Sequence, residues 1–209
     1  MKSLLQQFVN VGKRYMPLSA EEVLAKPSSV VLASFANKST HETWKLLSDN
    51  TTIGGSSFAT FGLVEEGGEK FGRFEGVLSK EVESNQRRVR SGFAAIKGPT
   101  FDPLFPLSEH GHVEVRARCL NGRNYVLNVK VESFNHEDIY QALLEMSPST
   151  EWRTLSVPFD RLVLTGRGRV REVQRKLDGD ALLESLGILI ADEKDGPFRL
   201  DLQYISISP

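Results

Sequence analysis

Gly187 to Ile207, GILIADEKDGPFRLDLQYISI, commits the far part of this chain to sheet. Gly187 to Ala191 is an unbroken apolar run, the pattern of a strand buried on both faces. Asp195-Gly196-Pro197 then reverses the direction: glycine supplies a positive φ, and proline fixes φ where no ladder N–H is needed. Phe198, Leu200 and Leu202 alternate with Arg199, Asp201 and Gln203, giving one dry face and one polar face. The alternation slips at Tyr204-Ile205, which predicts a bulge. The stretch reads as a closing β-hairpin. Its partner strands must lie far upstream, so the fold is a non-local β-fold.

The rest of the chain supplies those partners. Ser29 to Phe35, Ser56 to Val64, Phe71 to Leu78 and Arg88 to Ile96 read as strands, with Gly67-Gly68 turning a hairpin between the second and third. Lys97 to Leu107, with its three prolines, reads as a long ordered loop. In His112 to Cys119, Val113, Val115, Ala117 and Cys119 oppose His112, Glu114, Arg116 and Arg118. Asn121-Gly122 is a hairpin-turn signal, and Tyr125, Leu127, Val129 and Val131 then oppose Asn124, Asn128 and Lys130. The two strands read as an adjacent pair with a dry underside and one face carrying Arg116, Arg118, Asn124, Asn128 and Lys130. Ile139 to Met146 fits a helix by propensity and a strand by period. Leu155, Val157 and Phe159 alternate again, with Pro158 marking an edge. Asp180 to Leu186 reads as one short helical segment. Many short strands and few helices predict an all-β sandwich.

Before this domain, residues 1–27 stand apart. Leu4, Phe8, Val11 and Tyr15 recur at helical spacing, with Lys2, Lys13 and Arg14 and no acid before Glu21. A targeting segment and a docked helical arm both fit that pattern. Residues 28–209 read as a single domain, without a Pro/Ser linker or internal repeat.

Composition narrows the function classes. The 26 basic and 27 acidic residues nearly cancel, which argues against a nucleic-acid binder. The one cysteine, Cys119, excludes an internal disulfide and every multi-cysteine metal pattern. No run is apolar for long enough to span a bilayer as a helix. His110-Gly111-His112 is the only hint of a metal site, and it specifies no third ligand. There is no G-x-S-x-G elbow, and the TIGGSS turn lacks the lysine and helix of a phosphate loop. The chain therefore reads as non-enzymatic, without cofactor or metal. Two features suit binding. Arg161 to Lys176 carries Arg167, Arg169 and Arg171 in a basic loop, which either meets an acidic protein or anionic lipid surface or pairs with Asp160, Asp178 and Asp180. Trp152 falls at a sheet margin, as a partner hot spot, a sugar platform or a core residue; Trp44 reads as core.

Trp44 followed by SDNTTIGGSS, then FEGVLS, SGFAAI, NGRNYVLNVK, EWRTLSVPFDRL, GRVREVQRKLD and SLGILIADEKDGPFRLDLQYI, resembles the complex I intermediate-associated protein family from about Ser29 to Ile207. The resemblance implies a galactose-binding-like jelly roll, with Tyr140 to Met146 as strand. It also implies a mitochondrial chaperone-like role, in the matrix at the inner membrane, helping to assemble the membrane arm of respiratory complex I. Partners would be other assembly factors and membrane-arm subunits, with peripheral membrane association. A carbohydrate-binding module is the other reading that this architecture hosts.

Overall fold

The computed structural model describes residues 28–81 and 92–209. The arm expected over residues 1–27 lies outside them, as does the first part of the strand expected from Arg88 to Ile96. In chain order the strands are β1 (Val30–Ser34), β2 (Lys45–Ser48), β3 (Phe58–Glu66), β4 (Glu69–Leu78), β5 (Ala94–Lys97), β6 (Phe105–Pro106) and β7 (His112–Cys119). There follow β8 (Tyr125–Val131), β9 (Asp138–Leu144), β10 (Arg153–Pro158), β11 (Val163–Gly166), β12 (Arg169–Val170), β13 (Leu182–Ile190) and β14 (Gly196–Ser208). Two short helices, α1 (Lys38–Thr43) and α2 (Asp49–Ile53), flank β2.

The strands form two antiparallel sheets, the sandwich that the strand pattern predicts and the jelly roll that the family resemblance implies. The first runs β10-β7-β14-β4-β3, with β1 beside the later half of β14. The second runs β12-β11-β9-β8-β13-β5-β2, with β6 beside the start of β13. Alternation decides what lies between them. Phe74, Val115, Ala117, Leu200 and Leu202 from the first sheet share one core with Tyr125, Leu127, Leu186 and Ile188 from the second. Trp44 is buried in that core, edge-on to Phe35. The β3–β4 hairpin closes as expected on Gly67 and Gly68, both at positive φ, which a primed two-residue turn requires. β9 is a strand: Tyr140, Ala142 and Leu144 are buried while β8 and β11 bond its two edges.

Three expectations need correcting. Asp180 to Leu186 is not helical; Leu182 onward is β13, paired with β8 on one side and with β6 and β5 on the other. Ladders on both edges, with Leu183 and Leu186 buried, override the helical propensity of Ala-Leu-Leu-Glu. The stretch from Gly187 to Ile207 is not a hairpin either: β13 belongs to the second sheet and β14 to the first, so Ala191 to Asp195 arches across the sandwich. The predicted bulge is present, as a register shift between Leu202 and Tyr204 against β7. The third correction concerns the turn at Asn121-Gly122. It also arches, sending β7 to the first sheet and β8 to the second.

Candidate binding face

That arch divides the polar face expected on one strand pair. Arg116 and Arg118 look out from the first sheet; Asn128 and Lys130 look out from the second, and Asn124 is exposed in the connection between them. On the first sheet, Arg118 pairs in register with Asp201 of β14, which pairs with Arg73 of β4, which pairs with Gly62 of β3. Trp152, one residue before β10, stands beside Arg118 at the other end of this row.

The centre of the row is Asp201, fully buried although it faces away from the core. Arg73 Nε donates to its Oδ1 at 2.9 Å, Arg118 Nε to Oδ2 at 2.9 Å, and Arg199 Nη2 to Oδ2 at 3.2 Å. Glu66, half exposed on β3, accepts from Arg73 Nη2 at 3.0 Å and Arg118 Nη2 at 3.2 Å. Burial pushes the Asp201 carboxyl up, but hydrogen bonds from Arg73, Arg199 and Arg118 more than reverse this and hold it below the usual carboxylate range. The hydrogen bond to Asp201 likewise raises the Arg73 guanidinium above its ordinary value. Three arginines against two carboxylates leave the cluster with one excess positive charge.

The same arginines roof an aromatic pair. Phe71 points out from β4 yet is fully buried, with the Arg118 guanidinium 4.7 Å and the Arg73 guanidinium 5.3 Å from its ring centroid. Trp152 packs edge-on to Phe71 at 5.4 Å, carries Arg118 4.6 Å over its own ring, and donates its Nε1–H to Glu69. Trp152 is therefore a wall of the cluster, not a core residue. Arg116 donates to Gln203 and Thr154 in the next row. Two rows the other way, Phe58 and Val77 stand exposed beside Pro197 in register. The face thus combines a rigid cationic centre with an exposed apolar margin, the mix of anchor types that partner-binding surfaces use.

Elsewhere, the remaining candidates separate. Asn128 and Lys130 line a shallow cleft of about 320 Å³ on the second sheet, with Leu47, Lys97, Ile139 and Ser185. Asn128 accepts from Gln141, and Lys130 Nζ donates to the carbonyls of His136 and Asp138. The basic loop pairs with acids other than those expected. Arg167 takes Glu137, while Arg171 and Arg175 converge on buried Asp138; Arg169 stays exposed. His110 and His112 each donate from Nδ1 to a backbone carbonyl, of Ser108 and Pro209.

Besides Asp201 and Asp138, sequence reading missed two further buried charges, Asp49 and Arg123. The glycine-rich TIGGSS turn cradles an internal anion: the Asp49 carboxylate accepts from Ser57 N at 3.0 Å, Ser57 Oγ at 2.9 Å and Gly92 N. A Cβ at Gly55 would come within 2.4 Å of that carboxyl carbon, so only glycine fits there. Arg123, also buried, clamps both arches: it forms two 2.7 Å bonds to Asp192 and reaches the carbonyls of Lys194, Gly196 and Pro197. Aspartate within a Gly/Ser turn was the available signal for Asp49. Arg123 has none, because its partners are distant in sequence.

Two stacked antiparallel sheets of this topology define a jelly-roll β-sandwich. The chain resembles a family 11 carbohydrate-binding module of a cellulosomal cellulase from Clostridium thermocellum, with TM-score 0.62 at 14% identity over 88% of this chain and 97% of that one. It also resembles part of an agarase, with TM-score 0.52 at 12% identity over 87% of this chain and 25% of that one. Such likeness establishes the fold alone. Sequence establishes the family: the profile of complex I intermediate-associated protein 30 (CIA30) matches residues 33–202, and the chain belongs to that family. Proteins named "Complex I intermediate-associated protein 30, mitochondrial" match from Mus musculus, 26% identical over 90% of this chain and 58% of that protein, and from Neurospora crassa, 27% identical over 65% and 50%. A third, from Drosophila melanogaster, is 24% identical over 78% and 57%. The chain spans between half and three fifths of these relatives' lengths.

Proposed function

We propose that the chain is the β-sandwich of a non-enzymatic, chaperone-like assembly factor for mitochondrial respiratory complex I. It would act in the matrix at the inner membrane and bind membrane-arm intermediates or fellow assembly factors through the outer face of the first sheet. The match over residues 33–202 carries this reading, since the relatives are named for association with complex I intermediates. The face supports it. Arg73, Arg118 and Arg199 are held by Asp201 and Glu66 before any partner arrives, so little side-chain entropy remains to be lost on binding. The carbohydrate-binding alternative rests on architecture, and Trp152, its natural platform, already has one ring face against Arg118.

Affinity purification of the tagged full protein from mitochondria tests the reading. Complex I intermediates should co-purify, and Arg116→Glu combined with Phe58→Asp should reduce their capture about tenfold or more. Both side chains lie outside the core, so the thermal midpoint should barely move. Undiminished capture by the double variant would remove this face from the reading, and capture of no complex I subunit would remove the assembly role.

A further inference from the structure

The second sheet ends in a tip that combines exposed apolar side chains with arginines. Antiparallel register puts the C-terminal end of β8, the N-terminal end of β9 and the β11–β12 turn at that same end, because Gly166 pairs with both Asp138 and Arg169. The loop from Glu132 to Glu137 is pinned from below by Lys130 and from the side by Arg167, which bonds Glu137. Its Asn135 turn is closed by the Asp138 N–H and by side-chain bonds at Ser133 and Asn135. At the crest of this ordered loop Phe134 is 108% exposed, more open than in a reference peptide. Val170 of β12, at 67%, follows the neighbouring turn, and Val173, at 78%, lies on the segment that runs back along β11. Most of the described phenylalanines are buried or half-buried and Phe58 lies 63% exposed on a sheet face, so a fully exposed ring held out on a braced loop is the outlier, and water gives it no stabilisation there.

The charges around it are cationic outward and anionic inward. The acids at the base, Glu137 and Asp138, are taken up by Arg167, Arg171 and Arg175. The side chain of Arg167 remains 79% exposed and that of Arg175 60% exposed, and Arg169 and Lys176 are exposed as well; Glu132, Glu172 and Asp178 are the exposed acids nearby, with Asp178 set back beside Lys176. Apolar spikes ringed by arginines match a bilayer interface, where rings enter the acyl boundary and guanidiniums meet lipid phosphates. An acidic protein surface would pair with the arginines and leave Phe134 wet.

We infer that this tip, Phe134 with Val170, Arg167 and Arg169, docks the protein peripherally on an anionic lipid bilayer. The attachment is shallow and reversible, because no helix among the described residues is long and apolar enough to cross a membrane. It orients the sandwich on end, leaving the outer face of the first sheet free at the side.

Co-sedimentation of the purified chain with vesicles tests this without any complex I component, so its outcome is separable from the assembly reading. Two compositions serve: phosphatidylcholine alone, and phosphatidylcholine with about one third phosphatidylserine. The protein should sediment with the anionic vesicles, at least about tenfold less with neutral ones, and progressively less as salt shortens the Debye length. Phe134→Ser should lower partitioning about tenfold, and Arg167→Glu with Arg169→Glu by more, at unchanged circular dichroism and thermal midpoint. Absence of sedimentation with anionic vesicles, equal sedimentation with neutral ones, or native-like sedimentation of both variants would each overturn the inference.

Discussion

Asp201 shows how a single side chain acquires a role that its own surroundings in sequence do not suggest. Within Phe198 to Gln203 it occupies a polar, outward position, where a solvated carboxylate is the ordinary expectation. It is buried because arginines from three strands fold over it: Arg199 from its own, Arg73 and Arg118 from the strands on either side. Asp201→Ala would leave three guanidiniums crowded around Glu66 alone. We expect a loss of about 3–5 kcal/mol, read as a lower urea midpoint, because a desolvated charge cluster loses its counterion. A loss below about 1 kcal/mol would mean that the arginines are individually solvated and the cluster is not preorganised. The alternation of apolar and polar residues was legible at every one of these positions. What alternation cannot encode is which outward positions of distant strands become neighbours, so Arg73, Arg199, Glu66 and Phe71 went unnoticed while Arg116, Arg118 and Trp152 were found.

At the scale of elements, the same limit explains the two mistaken hairpins. Asn121-Gly122 and Asp195-Gly196 reverse the chain, and a reversal looks alike whether the strands pair within one sheet or face each other across the core. Loop content separates the cases only in retrospect: both arches are held by one buried arginine, Arg123, whose guanidinium spans Asp192 and three carbonyls of the second arch. Arg123→Met keeps the volume and removes the clamp, leaving the Asp192 side chain, 2% exposed, without its cation. We expect destabilisation of about 3–5 kcal/mol in denaturant titration. If the arches held themselves by backbone geometry alone, the cost would stay near that of an ordinary surface change, about 0.5 kcal/mol. The Gly67-Gly68 hairpin was legible because a two-residue loop between alternating runs leaves no room to cross the sandwich.

For the whole molecule, two of the buried aspartate side chains, Asp192 and Asp201, give acid sensitivity a definite sign. Burial opposes ionisation at both Asp192 and Asp201, but hydrogen bonds from Arg123 and from the three arginines respectively hold each below the usual carboxylate value. Each folded carboxylate therefore binds its proton at lower pH than its unfolded counterpart. Its contribution to stability is complete above the unfolded value near 4 and is lost as pH falls through the lower folded value. Urea midpoints should hold steady from pH 8 to about 5.5 and then fall steeply below about 4. Asp201→Asn should lower the plateau and flatten the fall, closing on the native curve at the acid end; a parallel offset at every pH would show that Asp201 does not titrate as described.

β14 lies between β7 on one side and β4 with β1 on the other, so three segments drawn from the whole length of the chain meet only across it. During synthesis or translocation, a chain that has delivered everything up to β13 holds five strands of an unfinished layer with their inward apolar faces and backbone edges bare. Such an intermediate must be shielded by other proteins or kept unfolded until β14 emerges. A protein that we propose shelters unfinished partners would therefore need the same shelter while it is being made.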